Sequence, residues 1–123
     1  MVVTMGKLQV EEIAAREVRP TIIPDPGDAG TIDVSRGGLC ELTSAGAETR
    51  TLPDPTFRGQ RLILSFVSDG GTITMTASSP VNQTGNTTIT WDDIGEYLEL
   101  IGTYNATDGW EWRVTASDGA DRS

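Results

Sequence analysis

Polar and apolar residues alternate in short runs along most of this chain, and glycine, proline, asparagine and aspartate separate the runs. A two-residue period is that of a half-buried β-strand, and the separators are turn formers. Thr31–Ser35 is the first such run, stopped by Arg36-Gly37-Gly38. Leu39–Thr43 is the next, followed by a turn through Ser44–Ala47. Glu48–Leu52 ends at Pro53-Asp54-Pro55, and prolines so near a strand end predict an edge or a sheet exit. Gln60–Val67 is apolar at successive positions, which predicts a central strand covered on both sides. Ser68-Asp69-Gly70-Gly71 predicts a hairpin leading into Thr72–Ala77, where Ile73, Met75 and Ala77 face inward and three threonines face out. Thr87–Trp91, Tyr97–Tyr104 and Trp110–Thr115 complete the series, the last two joined by a hairpin through Asn105–Gly109. Regular short strands with turns between them predict an all-β domain: a single small β-sandwich, jelly-roll-like or barrel fold.

The first 29 residues differ in character. Leu8, Ile13 and Val18 fall on one stripe if residues 7–18 are helical, with Glu11 and Glu12 suited to the first turn. Arg19-Pro20-Thr21-Ile22-Ile23-Pro24-Asp25-Pro26-Gly27 then favours extended or polyproline-like backbone. The expected organisation is an N-terminal arm over 1–29, a β domain over 30–118 and a flexible tail over 119–123.

Composition removes several function classes. The 123 residues contain no histidine, so a Ser-His-Asp triad, a Cys-His pair and an ordinary zinc enzyme site are unavailable. Eighteen acidic against nine basic residues give a net charge of −9, and no basic stripe exists for nucleic acid. Cys40 is the lone cysteine, so no internal disulfide forms and a buried inert thiol is expected. No stretch has the apolar length of a membrane span, and no basic-then-apolar leader pattern opens the chain; synthesis in the host cytoplasm is the expectation.

Candidate chemistry is sparse. Asp92, Asp93 and Glu96 cluster around Gly95 without EF-hand spacing, and a solvated turn accounts for them better than calcium. A glycosidase needs two carboxylates facing across a groove, and the pattern singles out no pair. Asn82, Asn86 and Asn105 match the N-glycosylation acceptor pattern, an incidental match in a chain expected to stay in the cytoplasm. Tyr104, Trp110 and Trp112 suit a carbohydrate platform, but alternating tryptophans on one strand face are more often core or interface. Arg58, Arg61 and Arg113 are candidates for pairing with acidic groups of a partner, against the ordinary reading of surface ion pairs.

The order Gly46-Ala47-Glu48-Thr49-Arg50-Thr51-Leu52-Pro53, Gly59-Gln60, Asp69-Gly70-Gly71, Asn82-Gln83-Thr84-Gly85-Asn86-Thr87-Thr88-Ile89-Thr90 and Trp110-Glu111-Trp112-Arg113-Val114 resembles tailed-phage capsid decoration (cement) and head-fibre proteins. The likeness covers roughly residues 38–118, and the same pattern is similar to segments of tail fibres and tailspikes. It implies a non-enzymatic virion protein on the outer surface of the phage head. The implied partners are the major capsid protein and itself, as a homotrimer, with no cofactor, metal, nucleic acid or membrane. In that setting Leu8, Ile13, Val18, Ile22 and Ile23 are the expected capsid-docking arm, and Phe66, Trp91, Trp110 and Trp112 the expected core or trimer contacts. The alternative it carries is a receptor- or glycan-binding module of a tail fibre.

Overall fold

A computed structural model describes residues 20–123. The expected helix over 7–18, with Leu8, Ile13 and Val18, lies outside the described residues.

Among the described residues ten strands form two five-stranded mixed sheets packed face to face as a sandwich, with no closed barrel. They are β1 (Ile22–Ile23), β2 (Gly30–Thr31), β3 (Gly38–Thr43), β4 (Glu48–Leu52), β5 (Arg61–Ser68), β6 (Ile73–Ala77), β7 (Thr88–Trp91), β8 (Tyr97–Asn105), β9 (Gly109–Asp118) and β10 (Asp121–Arg122). Sheet A runs β1-β3-β5-β8-β9, and sheet B runs β10-β7-β6-β4-β2. The chain crosses between sheets at nearly every step, so β1 and β2, β3 and β4, and β5 and β6 form three successive coils. Like strands of successive coils pair in parallel. Only β6–β7 and β8–β9 are connections within one sheet, and both are antiparallel.

This topology corrects three expectations. Ser68–Gly71 is not a hairpin: β5 lies in sheet A and β6 in sheet B, and the two glycines turn the chain from one layer to the other. Of the edge or sheet exit expected at Pro53–Pro55, β4 is not the edge, because the short β2 pairs outside it, and the prolines mark the exit from sheet B to sheet A. Residues 119–123 are not a free tail, since β10 pairs with β7 and Ser123 N and O both bond to Thr88. The N-terminal boundary also moves: β1 and β2 are strands of the sandwich, so it takes in residues assigned to the arm.

Alternation places one face of each sheet in the core. Ile23, Cys40, Leu64 and Leu98 form one continuous inner row across four strands of sheet A, with Leu42 beside Phe66. Ile73, Met75, Ile89 and Trp91 meet them from sheet B. Burying such side chains contributes about 1.5–3 kcal/mol each, the main force holding the layers together. Phe66, Trp91 and Trp112 are all core residues, at most 1% exposed.

One charged residue is fully enclosed between the sheets. Arg50 is buried and donates from Nε to Asp25 Oδ1 at 2.8 Å and from Nη2 to Glu48 Oε1 at 2.9 Å. Its remaining donors reach the carbonyls of Thr43 and Thr49, so every side of the guanidinium is engaged. Asp25 also accepts from the backbone N–H groups of Thr43 and Gly27. One ion pair thereby fastens the Pro24–Gly27 segment across both sheets.

Candidate docking surface

The two outer faces of the sandwich are built from different residues. On sheet B, Thr49, Thr74 and Thr90 form one row, and Thr31, Thr51, Thr76 and Thr88 form the next. Threonine fits the pleat with its branched carbon and keeps its hydroxyl in water, so this face is suited to solvent. On sheet A the equivalent central row is Ile22, Leu39 and Ile63, aligned across three parallel strands. Ile22 is 59% exposed, and Leu39 and Ile63 are half-buried. Glu99 of β8 continues the row beyond Ile63, and half-buried Ile101, which pairs with Arg61, lies diagonally beside it.

Next to this row a groove of about 370 Å³ is lined by Pro20, Thr21, Gly37, Gly38, Gly59, Arg61 and Ile63. Glycine forms its floor for a steric reason. A Cβ on Gly38 would stand 2.1 Å from the Thr21 carbonyl oxygen, and one on Gly37 2.7 Å from that of Arg61. The same close approach lets Leu39 N–H donate to Thr21 O at 2.8 Å, which seats β1 against β3. At the margin Arg61 Nη1 donates to Glu99 Oε1 at 2.7 Å, an exposed pair that satisfies both charges within the chain.

Gln60–Val67 reads as a strand covered on both sides, but among the described residues no layer covers the outer face of β5. The apolar residues there are therefore not explained by the core of the described residues. No family model matches this chain, and no curated protein matches it either.

The other residues singled out from sequence fall in separate places. Of the expected docking arm, Ile22 faces outward on this surface, whereas Ile23 points into the core at 1% exposure and has no free surface to offer. Trp110 is half-buried beside Tyr104, with ring centroids 5.1 Å apart, and Arg58 lies 5.0 Å from the Tyr104 ring and 5.8 Å from that of Trp110. The Arg58 guanidinium thus covers the aromatic faces that a sugar ring would need. Trp112 belongs to the interior, donating its Nε1–H to Pro53 O at 2.8 Å, so the three aromatics do not share one platform.

The acidic turn closes on itself. Asp92 N–H donates to Glu96 Oε1 at 2.6 Å, and Thr72 Oγ1 donates to Asp92 Oδ1 at 3.0 Å. No group of three or more potential metal-ligating side chains occurs among the described residues. Cys40 is buried, and desolvation together with the negative charge of Asp25 pushes its thiol up to about 12. At neutral pH it holds its proton and is a poor nucleophile.

Sequence reading missed this apolar row because the strands of successive coils pair over long separations. Ile22, Leu39 and Ile63 are ordinary strand residues until parallel pairing aligns them. The available signal was the two-sided apolar character of β5.

Proposed function

We propose that this chain is a virion structural protein that decorates the outer surface of a phage capsid, assembling as a homotrimer and docking through the outer face of sheet A. The observation that carries this reading is the aligned Ile22–Leu39–Ile63 row. It is an apolar strip on a face that no other part of the described structure covers, opposite a face made of threonine. A contiguous apolar patch rimmed by polar groups is a common mark of an interaction surface, and we read its partner as a protein. No catalytic residue, metal or cofactor enters this function, and its site is the outside of the head.

Stabilisation would be mechanical. Each copy bridges neighbouring capsid subunits, so opening the shell also breaks its contacts, and symmetry repeats a modest interface many times. Anything that binds the closed shell better than the open one raises shell stability by mass action.

The test pairs light scattering, for the trimer, with co-sedimentation on heads lacking the protein. A variant carrying Ile22→Thr, Leu39→Thr and Ile63→Thr keeps strand propensity while removing the apolar strip. Each lost contact should weaken binding by about tenfold, since about 1.4 kcal/mol is tenfold in affinity. The expected outcome is saturable binding by the native chain, a raised disruption temperature of the heads, and loss of both in the variant at an unchanged melting temperature. A native chain that ignores heads, or a variant that still saturates them, overturns the proposal.

A further inference from the structure

At the opposite edge of sheet A lies a second concavity of different chemistry. A cleft of about 410 Å³ opens between the β6–β7 connection and the β8–β9 hairpin, lined by Pro80, Asn82, Gln83, Gly85, Asn105, Asp108, Glu111 and Arg113. Glu111 is a lining residue whose side chain is only 5% exposed. Its Oε1 accepts from Arg113 Nη2 at 2.8 Å and from Asn105 Nδ2 at 3.3 Å, which fixes the directions of all three groups. Arg113 Nη1 is buried and has no hydrogen-bond partner among the described residues. Gln83 and Asp108 have exposed side chains that bond to nothing within the described fold, so their polar ends are free at the rim.

This lining specifies a class of ligand. Amide, carboxylate and guanidinium groups are planar and present paired donors and acceptors, the pattern that matches adjacent hydroxyl groups. Glu111 neutralises Arg113, and Asp108 leaves the cleft with a net negative charge, so a phosphate or carboxylate ligand is disfavoured. A metal ion is a poor match, because the buried carboxylate is already bonded to a cation and an amide. What fits is a neutral polyhydroxyl molecule held by side-chain hydrogen bonds, with Pro80 as an apolar wall.

We infer that this cleft is a saccharide-binding site. It is distinct from the apolar row: β9 lies two strands beyond β5, the nearest strand of that row, about 10 Å at the usual strand spacing. Sugar binding does not depend on the capsid reading.

The test is amide NMR of the full chain titrated separately with millimolar glucose, galactose, N-acetylglucosamine and sodium phosphate. At least one sugar should shift the signals of Gln83, Asn105, Asp108 and Arg113 in a saturable way, with phosphate producing no such shift. Gln83→Ala with Asp108→Ala removes groups that brace nothing in the described fold, so the melting temperature should hold while sugar affinity falls by about tenfold, the loss of one or two hydrogen bonds. The inference is overturned by the absence of a saturable shift with all three sugars, by an equal response to phosphate, by shifts that map to Tyr104 and Trp110 instead, or by a double variant that binds as the native chain does.

Discussion

Two tryptophans of equal size separate packing from hydrogen bonding. Trp91 and Trp112 are both buried, but only Trp112 has an indole partner, the Pro53 carbonyl; Trp91 Nε1 has none among the described residues. Replacing either with Phe removes the same volume. Trp112→Phe also strands a carbonyl, so it should cost about 1 kcal/mol more than Trp91→Phe in chemical denaturation. Charge at the residue scale is concentrated on Asp25. Burial pulls its pKa upward, but donation from Arg50, Thr43 and Gly27, with the Arg50 charge, holds it below its ordinary 3.8. A depressed carboxyl contributes stability that is complete above its unfolded value, near pH 4, and is lost as pH falls through the lower folded value. Denaturation midpoints should therefore drop below about pH 4, and Asp25→Asn should shrink that drop while costing about 1–3 kcal/mol at neutral pH through weaker bonding to buried Arg50. An outcome in which the variant titrates as steeply as the native chain would remove this pair from the account of acid stability. None of this was visible in Glu48–Leu52 read alone, where Arg50 looks like one more polar strand residue; its partner Asp25 is distant in sequence and was assigned to an arm.

At the scale of elements, strands were legible and their partners were not. Local pattern located β5, β6 and β8 to within a residue and the start of β9 equally well, though β9 runs three residues past the predicted end, because side-chain period is a local property. Pairing is non-local. Gly70 and Gly71 mark a turn whether the chain doubles back within one sheet or crosses to the other, and here packing over Ser44 decided for the crossing. Ser44 Oγ accepts from both glycine N–H groups at 3.1 Å and donates to Gly71 O at 2.6 Å. The two-residue β1 had no periodic signal; the alternating run Thr31–Ser35 does bury Ile32 and Val34, but it is not a strand beyond Thr31, because only Gly30–Thr31 pair with β4. Gly38 is the element-scale test. Its missing side chain admits the Thr21 carbonyl, so Gly38→Ala should detach β1, destabilise the domain by about 1–3 kcal/mol and expose the amide of Leu39 to hydrogen exchange. Retained protection at Leu39 would show that β1 is held by other contacts.

For the whole molecule, the division of labour between faces follows from the coil pattern. Each coil places one residue on the outer row of sheet A and others on that of sheet B, so a repeated choice of aliphatic or threonine becomes a continuous strip only after the coils stack. The fold class was readable because binary patterning sets it; the apolar strip was not, because it is a property of stacking. The saccharide cleft was less legible still, since it joins Gln83 of one connection to Asn105 and Asp108 of another.

The alternation between sheets also governs how the chain reaches this state. β3 must find β5, and β4 must find β6, across intervening segments that belong to the opposite layer. Only the β8–β9 ribbon closes through a short loop, making it the natural early structure. The three parallel coils have to assemble against it nearly together, because none has a covered inner face until the next arrives. A chain organised this way folds slowly for its length, on the millisecond-to-second scale of non-local β proteins, and its unpaired coils are sticky until the last one locks.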